Sequence, residues 1–434
     1  MEIAERVKTL KRNPVPALIP SFGPLQGIRI LSTGSIISAP FAGSLLADFG
    51  AEVIHVEDPI TGDPIRKLPP IIEKNGKKIS AVWLDNGRNK LSMGLDLNST
   101  NPLAKEVFLS LIKVSDIWIE NLGQTLPDYG ITDKLINRVN PGISIIHVSG
   151  YGTPRFGGIA AICQQASSDI TTQAYTGWNS LVGDPNGPPT RIPSFAADYI
   201  LALAVCWGSL AGYIDARRRN KGQTFDCAGF EVLGRILSGG LSNYLNLGVI
   251  NKRQGNKSMT NQPYGIYKTV DGYVGIGANG PSVYGRFIKA LASVTGLNPD
   301  DFPLDVAEGT DTYTKPQGKE LDRITTEWIA SHTKKEVDDL FEKFEVPCAP
   351  VYTPEDTTND PHWIKRDAFI EYTDPTLQSK VKSFGIAPKI SPDPGMIWRG
   401  APRLGEDTVD ILTKILDYTP AAVNRLQTQQ IICR

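Results

Sequence analysis

The chain has little cysteine or histidine, no excess of either charge and no apolar run of membrane length. Its five cysteines, Cys163, Cys206, Cys227, Cys348 and Cys433, are odd in number and form no CxxC pair. This excludes a zinc ribbon and a disulfide framework and reads as reduced thiols in a cytoplasmic protein. The four histidines, His55, His147, His332 and His362, stand far apart, so no metal site is expected. His55 and His147 fall inside expected strands, where a packed or partly exposed role is the default. Forty-five basic residues balance 46 acidic ones, for a formal net charge of -1. No global field therefore favours nucleic acid or an anionic membrane, and an anionic ligand must be held by local groups. The longest apolar stretch, residues 200–214, contains Gly208 and Ser209 and is too short to cross a bilayer comfortably. It is expected to be a buried helix. The opening MEIAERVKTLKRNPVPALIP lacks the apolar core of a signal peptide. There is no P-loop, GxSxG elbow or HExxH, and no internal repeat or low-complexity tract.

What remains is an ordinary globular composition, 41% hydrophobic and 21% charged over 434 residues, enough for two or three domains. The first 150 residues alternate. IRILST (28–33) reads as a strand, APFAGSLLADFG (39–50) as a helix and AEVIHVE (51–57) as a strand. Pro40 suits the first helical turn and Gly50 suits the end. KLSMGLDL (90–97), DIWIEN (116–121) and ISIIHVSG (143–150) read as further strands, with a helix over 101–114. This rhythm predicts an α/β fold with a Rossmann-like, doubly wound parallel sheet. Ligands in such sheets sit beyond the carboxyl ends of the strands, which singles out the loops 33–39, 57–66, 121–124 and 149–155.

The stretch 250–360 reads as a second, smaller α+β domain. Residues 251–262 are polar and aperiodic, a linker or active-site loop. YGIYKTVDGYVGIG (264–277) reads as a hairpin around Asp271 and Gly272. Gly275, Gly277 and Gly280 fit GxGxxG, but on the second arm of that hairpin and not on the first strand of a βαβ unit. A loop after a hairpin is the better reading than a dinucleotide site.

Asp198 stands before the long apolar helix, in FAADYILALAV. One reading of this residue is a helix N-cap. The other uses the same geometry: the helix dipole and free N–H groups keep the carboxylate ionised, and in a dry site it can attack an activated acyl group.

Several ordered segments extend the argument. They are GPLQGIRILSTGSIISAPFAGSLLADFGAEVIHVEDPITGDPIR (23–66), NGRNKLSMGLDL (86–97), SDIWIENLGQTLPDYGI (115–131), NPGISIIHVSGYGTP (140–154), KGQTFD (221–226), VPCAPVYTPED (346–356), NDPHWIKRDAF (359–369) and GMIWRGAPRLGEDTVDIL (395–412). Together they resemble the family III CoA-transferases, nearest to the carnitine and bile-acid branch. The resemblance implies a large Rossmann-like domain over 20–230 that a segment 361–434 completes, with the smaller domain over 250–360 between them. It also implies an interlaced dimer whose substrates are a CoA thioester and a small carboxylic acid, with no tightly bound cofactor. The dimer is expected to be a homodimer or a heterodimer with a paralogous subunit. It implies that Asp198 is a covalent nucleophile, passing through an aspartyl anhydride and an aspartyl-CoA thioester. Oxyanion donors are expected in the loop Ile36, Ile37 and Ser38, with Ile37 at the family's position for a polar side chain. Asn121 and Leu95 match CoA-contacting positions. Ser168, Asp169 and Trp178 are candidate substrate contacts. Asp58, Asn98 and Asp128 stand where relatives often place basic residues, and Arg66, Arg88 and Lys90 are the nearby cations that could compensate. These departures raise the alternative of a catalytically reduced partner subunit, as in the two-subunit benzylsuccinate CoA-transferases.

Overall fold

Short runs rich in Val and Ile become strands because branched side chains pack well on a pleated surface buried on both faces. In the computed structural model six of them build one sheet: β1 (Arg29–Ser32), β2 (Glu52–Glu57), β5 (Leu91–Gly94), β6 (Ile117–Glu120), β7 (Ser144–Ser149) and β8 (Thr224–Ala228). The order is β5-β2-β1-β6-β7-β8, and every neighbouring pair is parallel. The structure describes residues 4–10, 16–123, 129–258, 260–310 and 312–433. Asp128 and the Gln124 end of the third candidate loop lie outside these residues.

Alternation along the strands separates two cores. Leu31, Ile54, Trp118 and Ile145 share one cluster with Val107, Phe108, Leu111 and Ile112 of helix α2 (Pro102–Val114). Ile30, Val53, Ile117, Ile119 and Ile146 share another with Ala39, Ala42 and Leu46 of α1 (Ser38–Asp48) and Leu201, Ala202 and Val205 of α4 (Ala196–Arg219). The strand order reverses beside β1. The crevice between the carboxyl ends of β1 and β6 is therefore the place where such a sheet accepts a ligand.

The 24-residue helix α4 is long and apolar enough to cross a membrane by length and composition. It instead packs on α1, β7 and β8. It is not buried all round, as its composition suggested. Leu203, Trp207 and Ile214 are 57%, 65% and 50% exposed and form an apolar stripe. The mixed apolar composition hides the stripe, because both faces of the helix are apolar.

The chain divides into two compact units. The first comprises residues 1–176, 192–241 and 365–434 and holds the six-stranded sheet. It also carries two antiparallel hairpins, β3 (Ile71–Lys74) with β4 (Lys77–Ser80) and β12 (Phe369–Asp374) with β13 (Ser379–Phe384). The second comprises residues 177–191 and 242–364. Its antiparallel sheet runs β11-β10-β9, with β9 at Tyr264–Thr269, β10 at Gly272–Gly277 and β11 at Cys348–Pro350. Phe287, Ile329 and Phe341 anchor its core. The glycines of GxGxxG lie on β10 and the turn that leads into the helix Pro281–Thr295, but β10 pairs antiparallel with both of its neighbours and so is not the first strand of a parallel βαβ unit.

Candidate active site

The loop from β1 to α1 lies at the switch in strand order. Gly34 opens it, and a Cβ there would come within 2.4 Å of the Ala39 side chain and 3.1 Å of Asn121 Oδ1. Asn121 follows β6 and brackets Ser35: its Oδ1 accepts the Ser35 N–H (2.9 Å) and its Nδ2 donates to Ser35 O (2.9 Å). The next residue, Ile36, has φ +72°. A β-branched residue in the left-handed region is a genuine strain site. Asp63 holds it there, accepting the Ile36 N–H at 3.1 Å while bonding His55 Nε2 at 3.2 Å. Ile37 is the N-cap of α1 but has no side chain able to cap, and its side chain is buried beside Trp83. Ile37, Ser38 and Ala39 therefore keep N–H groups with no acceptor among the described residues, while Phe41 N–H begins the helical ladder on Ile37 O (2.7 Å). Of the three expected oxyanion donors, Ile36 is engaged and Ile37 and Ser38 are open.

Asp198 lies in the first turn of α4, next to this region. Tyr199 packs edge-on against Phe41 at 4.7 Å and also contacts the cluster that contains Ile37 and Trp83. Asp198 is not the helix cap. The N-cap is Phe195, in the left-handed region (φ 55°), and Ser194 before it is also left-handed (φ 63°). The cap comes from α3 (Asp169–Thr176): Asp169 Oδ1 accepts the N–H groups of Ala197 (2.8 Å) and Asp198 (3.3 Å). The capping reading of Asp198 is thus replaced by a capping role for Asp169, whose side chain is buried. The Asp198 carboxylate is left without a hydrogen-bond partner among the described residues. Burial, and then the charge of Asp169, push it up to about 7. The helix dipole favours the anion by only about 0.3–2 kcal/mol, too little to offset this desolvation. Asp198 is half-ionised near neutrality, not firmly ionised as its position suggested.

The basic residues do not form a free cradle. Arg66 is bidentate on Glu57 (2.7 and 2.6 Å), donates to Pro402 O (2.9 Å) and stacks on Trp83 at 4.1 Å. Burial acts to raise the Glu57 carboxyl, but the Arg66 pair, His55 and Ser92 outweigh it and hold it low. Arg88 is buried on Asp48 (2.6 and 3.2 Å) and on the Phe384 and Gly385 carbonyls. Lys90 is fully buried, donates to Pro40 O (2.6 Å), and is lowered by that burial to about 7. All three are internal partners and do not stand in for the missing basic residues. Leu95 is also a core residue, bridged to Ile432. Asp58 is exposed and bonded to the Ile60 and Thr61 N–H groups, and Asn98 is exposed. Ser168 is exposed at the start of α3, and Trp178 is half-buried in the second unit.

Sequence reasoning missed one further feature. A cavity of about 600 Å³ opens beside the ends of β6 and β7, lined by Trp118, Glu120, Asp133, His147, Thr153 and Arg155. His147 bonds Glu120 through Nδ1 and Asp133 through Nε2 (3.1 Å). Alternation alone could have placed Glu120 and His147 on the face of Trp118 and Ile145. Among the described residues no cluster of three or more His, Cys, Asp or Glu could hold a metal ion.

The turn that carries Asp198 packs through Tyr199 on Phe41 of α1, and comparison with known proteins supplies the family. The model of CoA-transferase family III matches residues 25–408. The chain is 34% identical to the bile acid CoA-transferase BaiK of Clostridium scindens, over 92% of this chain and 87% of that protein. It is 30% identical to the succinyl-CoA–D-citramalate CoA-transferase of Chloroflexus aurantiacus, over 94% and 98%. A succinyl-CoA–L-malate CoA-transferase alpha subunit from Chloroflexus aurantiacus is also 30% identical, over 94% of this chain and 92% of that one. A crystal structure of a CAIB/BAIF family protein from Brucella suis superposes with a TM-score of 0.76 at 24% identity, covering 91% of this chain and all of that one, and so shares the fold. The chain belongs to CoA-transferase family III. It is accordingly a CoA-transferase, with CoA thioesters and carboxylates as its substrate chemistry.

Proposed function

We propose that the chain moves CoA from an acyl-CoA donor to a free carboxylic acid through covalent catalysis by Asp198. The supporting observation is a partly buried carboxylate with no hydrogen-bond partner among the described residues, on a helix that packs against α1, whose first N–H groups are open. Other buried carboxylates of this unit, such as Asp48, Glu57, Asp63 and Asp169, are committed to internal partners. The Asp198 carboxylate attacks the thioester carbonyl and displaces CoA thiolate, giving a mixed anhydride. The thiolate then attacks the aspartyl carbonyl, releasing the donor acid and leaving an aspartyl-CoA thioester. The acceptor carboxylate attacks that thioester and displaces the thiolate, giving a second mixed anhydride. The thiolate then attacks the acceptor's carbonyl, forming the new acyl-CoA and freeing the Asp198 carboxylate. Each attack makes an oxyanion, and we assign its stabilisation to the open Ile37 and Ser38 N–H groups. The test is Asp198→Ala in an exchange assay between a donor thioester and its own labelled acid. Undiminished exchange rejects the nucleophile.

The exposed stripe of Leu203, Trp207 and Ile214 supports an oligomer, and we read it as part of an interlaced dimer in the cytoplasm. The internal pairing of Arg66, Arg88 and Lys90 favours a second reading, in which a paralogous subunit supplies the CoA phosphate contacts. Activity of the purified chain without a second polypeptide decides against it.

A further inference from the structure

We propose that Gln173 is a positioning residue for the transfer reaction, clasping Asp169 and Ile192 so that the turn before α4 presents the Asp198 carboxylate. The inference rests on the nucleophile reading of Asp198. Gln173 is a fully buried amide in α3, where a polar side chain costs stability unless it is bonded. Its Oε1 accepts the Ile192 N–H (3.0 Å), and its Nε2 donates both to Ile192 O (3.0 Å) and to Asp169 Oδ2 (2.7 Å). The other Asp169 oxygen caps Ala197 and Asp198. One amide thus fixes both ends of residues 192–198. Between those ends lie Ser194 and Phe195, two successive non-glycine residues with positive φ. Each such residue costs on the order of 1–3 kcal/mol and persists only where the surroundings over-determine it. Phe195 cannot cap the helix itself, so the cap has to reach in from α3.

The clasp acts on the nucleophile in two ways. It sets the path of the backbone that carries Asp198, and it sets the distance of the Asp169 charge from it. Asp169 is the charge that bears on Asp198. Tyr199, on the same helix, hydrogen-bonds Asn86 and feels the charges of Asp85 and Asp198. The other charged residues on elements packed against α4 include Asp48 on α1, Asp226 on β8, and Glu231 and Arg235 on the helix after β8.

Gln173→Glu keeps the shape, removes the donor to Asp169 and adds a carboxylate. Gln173→Leu removes the clasp without adding charge. Both variants are expected to lower kcat by roughly 10–100-fold, the scale of a misplacement of about 1 Å, with KM for the donor thioester within about twofold. Gln173→Glu should also move the acid limb of the pH–rate profile upward, and Gln173→Leu should not. A purely structural glutamine would move stability and leave the pH profile alone. Wild-type kcat in both folded variants overturns the inference, while Asp198→Asn, run alongside, reports separately on the nucleophile. An active Asp198→Asn removes the ground of the inference. An inactive one, with fully active Gln173 variants, removes the clasp alone. Should the variants not fold, hydrogen exchange in the wild-type protein carries the test. Slow exchange of the Ala197 and Asp198 amides supports the clasp, and exchange as fast as in an exposed loop overturns it.

Discussion

Replacing Asp198 with Asn should remove activity and raise stability together, and the gain should depend on pH in a defined direction. Asp198 moves from an ordinary value of 3.8 to about 7, first through burial and then through Asp169. Each unit corresponds to about 1.4 kcal/mol, so ionising this carboxyl in the fold costs at most about 4 kcal/mol. The group is only partly buried, and water screening reduces the figure to roughly 2 kcal/mol. The sign follows from linkage: the folded form holds its proton more tightly than the unfolded chain does. Below about pH 4 both states are protonated and no penalty exists. Between about 4 and 7 the unfolded chain releases the proton first, so wild type loses stability as pH rises; above about 7 the penalty is complete. The Tm of Asp198→Asn should therefore match wild type near pH 4 and exceed it by a growing margin up to about pH 7. The same titration governs the wild-type rate. In CoA exchange, kcat/KM should fall about tenfold per pH unit below about 7, because only the carboxylate is nucleophilic. A stability advantage that is flat with pH, or a rate that stays level down to pH 5, would refute the reasoning.

Three more predictions follow from the surroundings of the site. Arg88→Ala leaves Asp48 buried without its partner and should cost about 3–5 kcal/mol, seen as a lower Tm with KM for acyl-CoA unchanged in whatever folds. Gly34→Ala drives a methyl against Ala39 and Asn121, and should cost about 1–3 kcal/mol while lowering kcat through the Ser35 bracket, measured by thermal unfolding and steady-state exchange. Trp207→Glu places a charge on the exposed stripe of α4 and should shift the protein toward monomer in light scattering, with the secondary structure unchanged by circular dichroism.

The strands and the helix between β1 and β2 were legible because their signals are local. Ile30, Val53, Ile54 and Ile119 belong to short β-rich runs, and Pro40 marks a first helical turn. The hairpin at Asp271 and Gly272 was legible for the same reason. What escaped depends on pairings that no local window contains. The residue that caps α4 lies on another helix, so no local window could show that Asp169, and not Asp198, does the capping. Arg88 meets Asp48 40 residues away, and nothing in NGRNKL distinguishes a buried partner from a phosphate ligand. Arg66 looks equally available until Glu57, Trp83 and the Pro402 carbonyl close around it.

The two kinds of failure point the same way. Sequence reasoning offered the cations as candidate phosphate partners and weighed Asp198 both as a helix cap and as a nucleophile. The fold ties the cations to internal acceptors and gives the capping duty to Asp169. A carboxylate that needed to cap its helix would be held by two N–H groups and would be a poor nucleophile. With Asp169 in that place, the Asp198 side chain makes none of those hydrogen bonds, which under the proposed mechanism leaves its carboxylate reactive at the expense of stability in this part of the chain. That exchange makes the clasp consequential, because the strain at Ser194 and Phe195 has to be borne by neighbours that take no part in the chemistry. Loss of those neighbours should therefore reduce turnover well before it reduces substrate affinity.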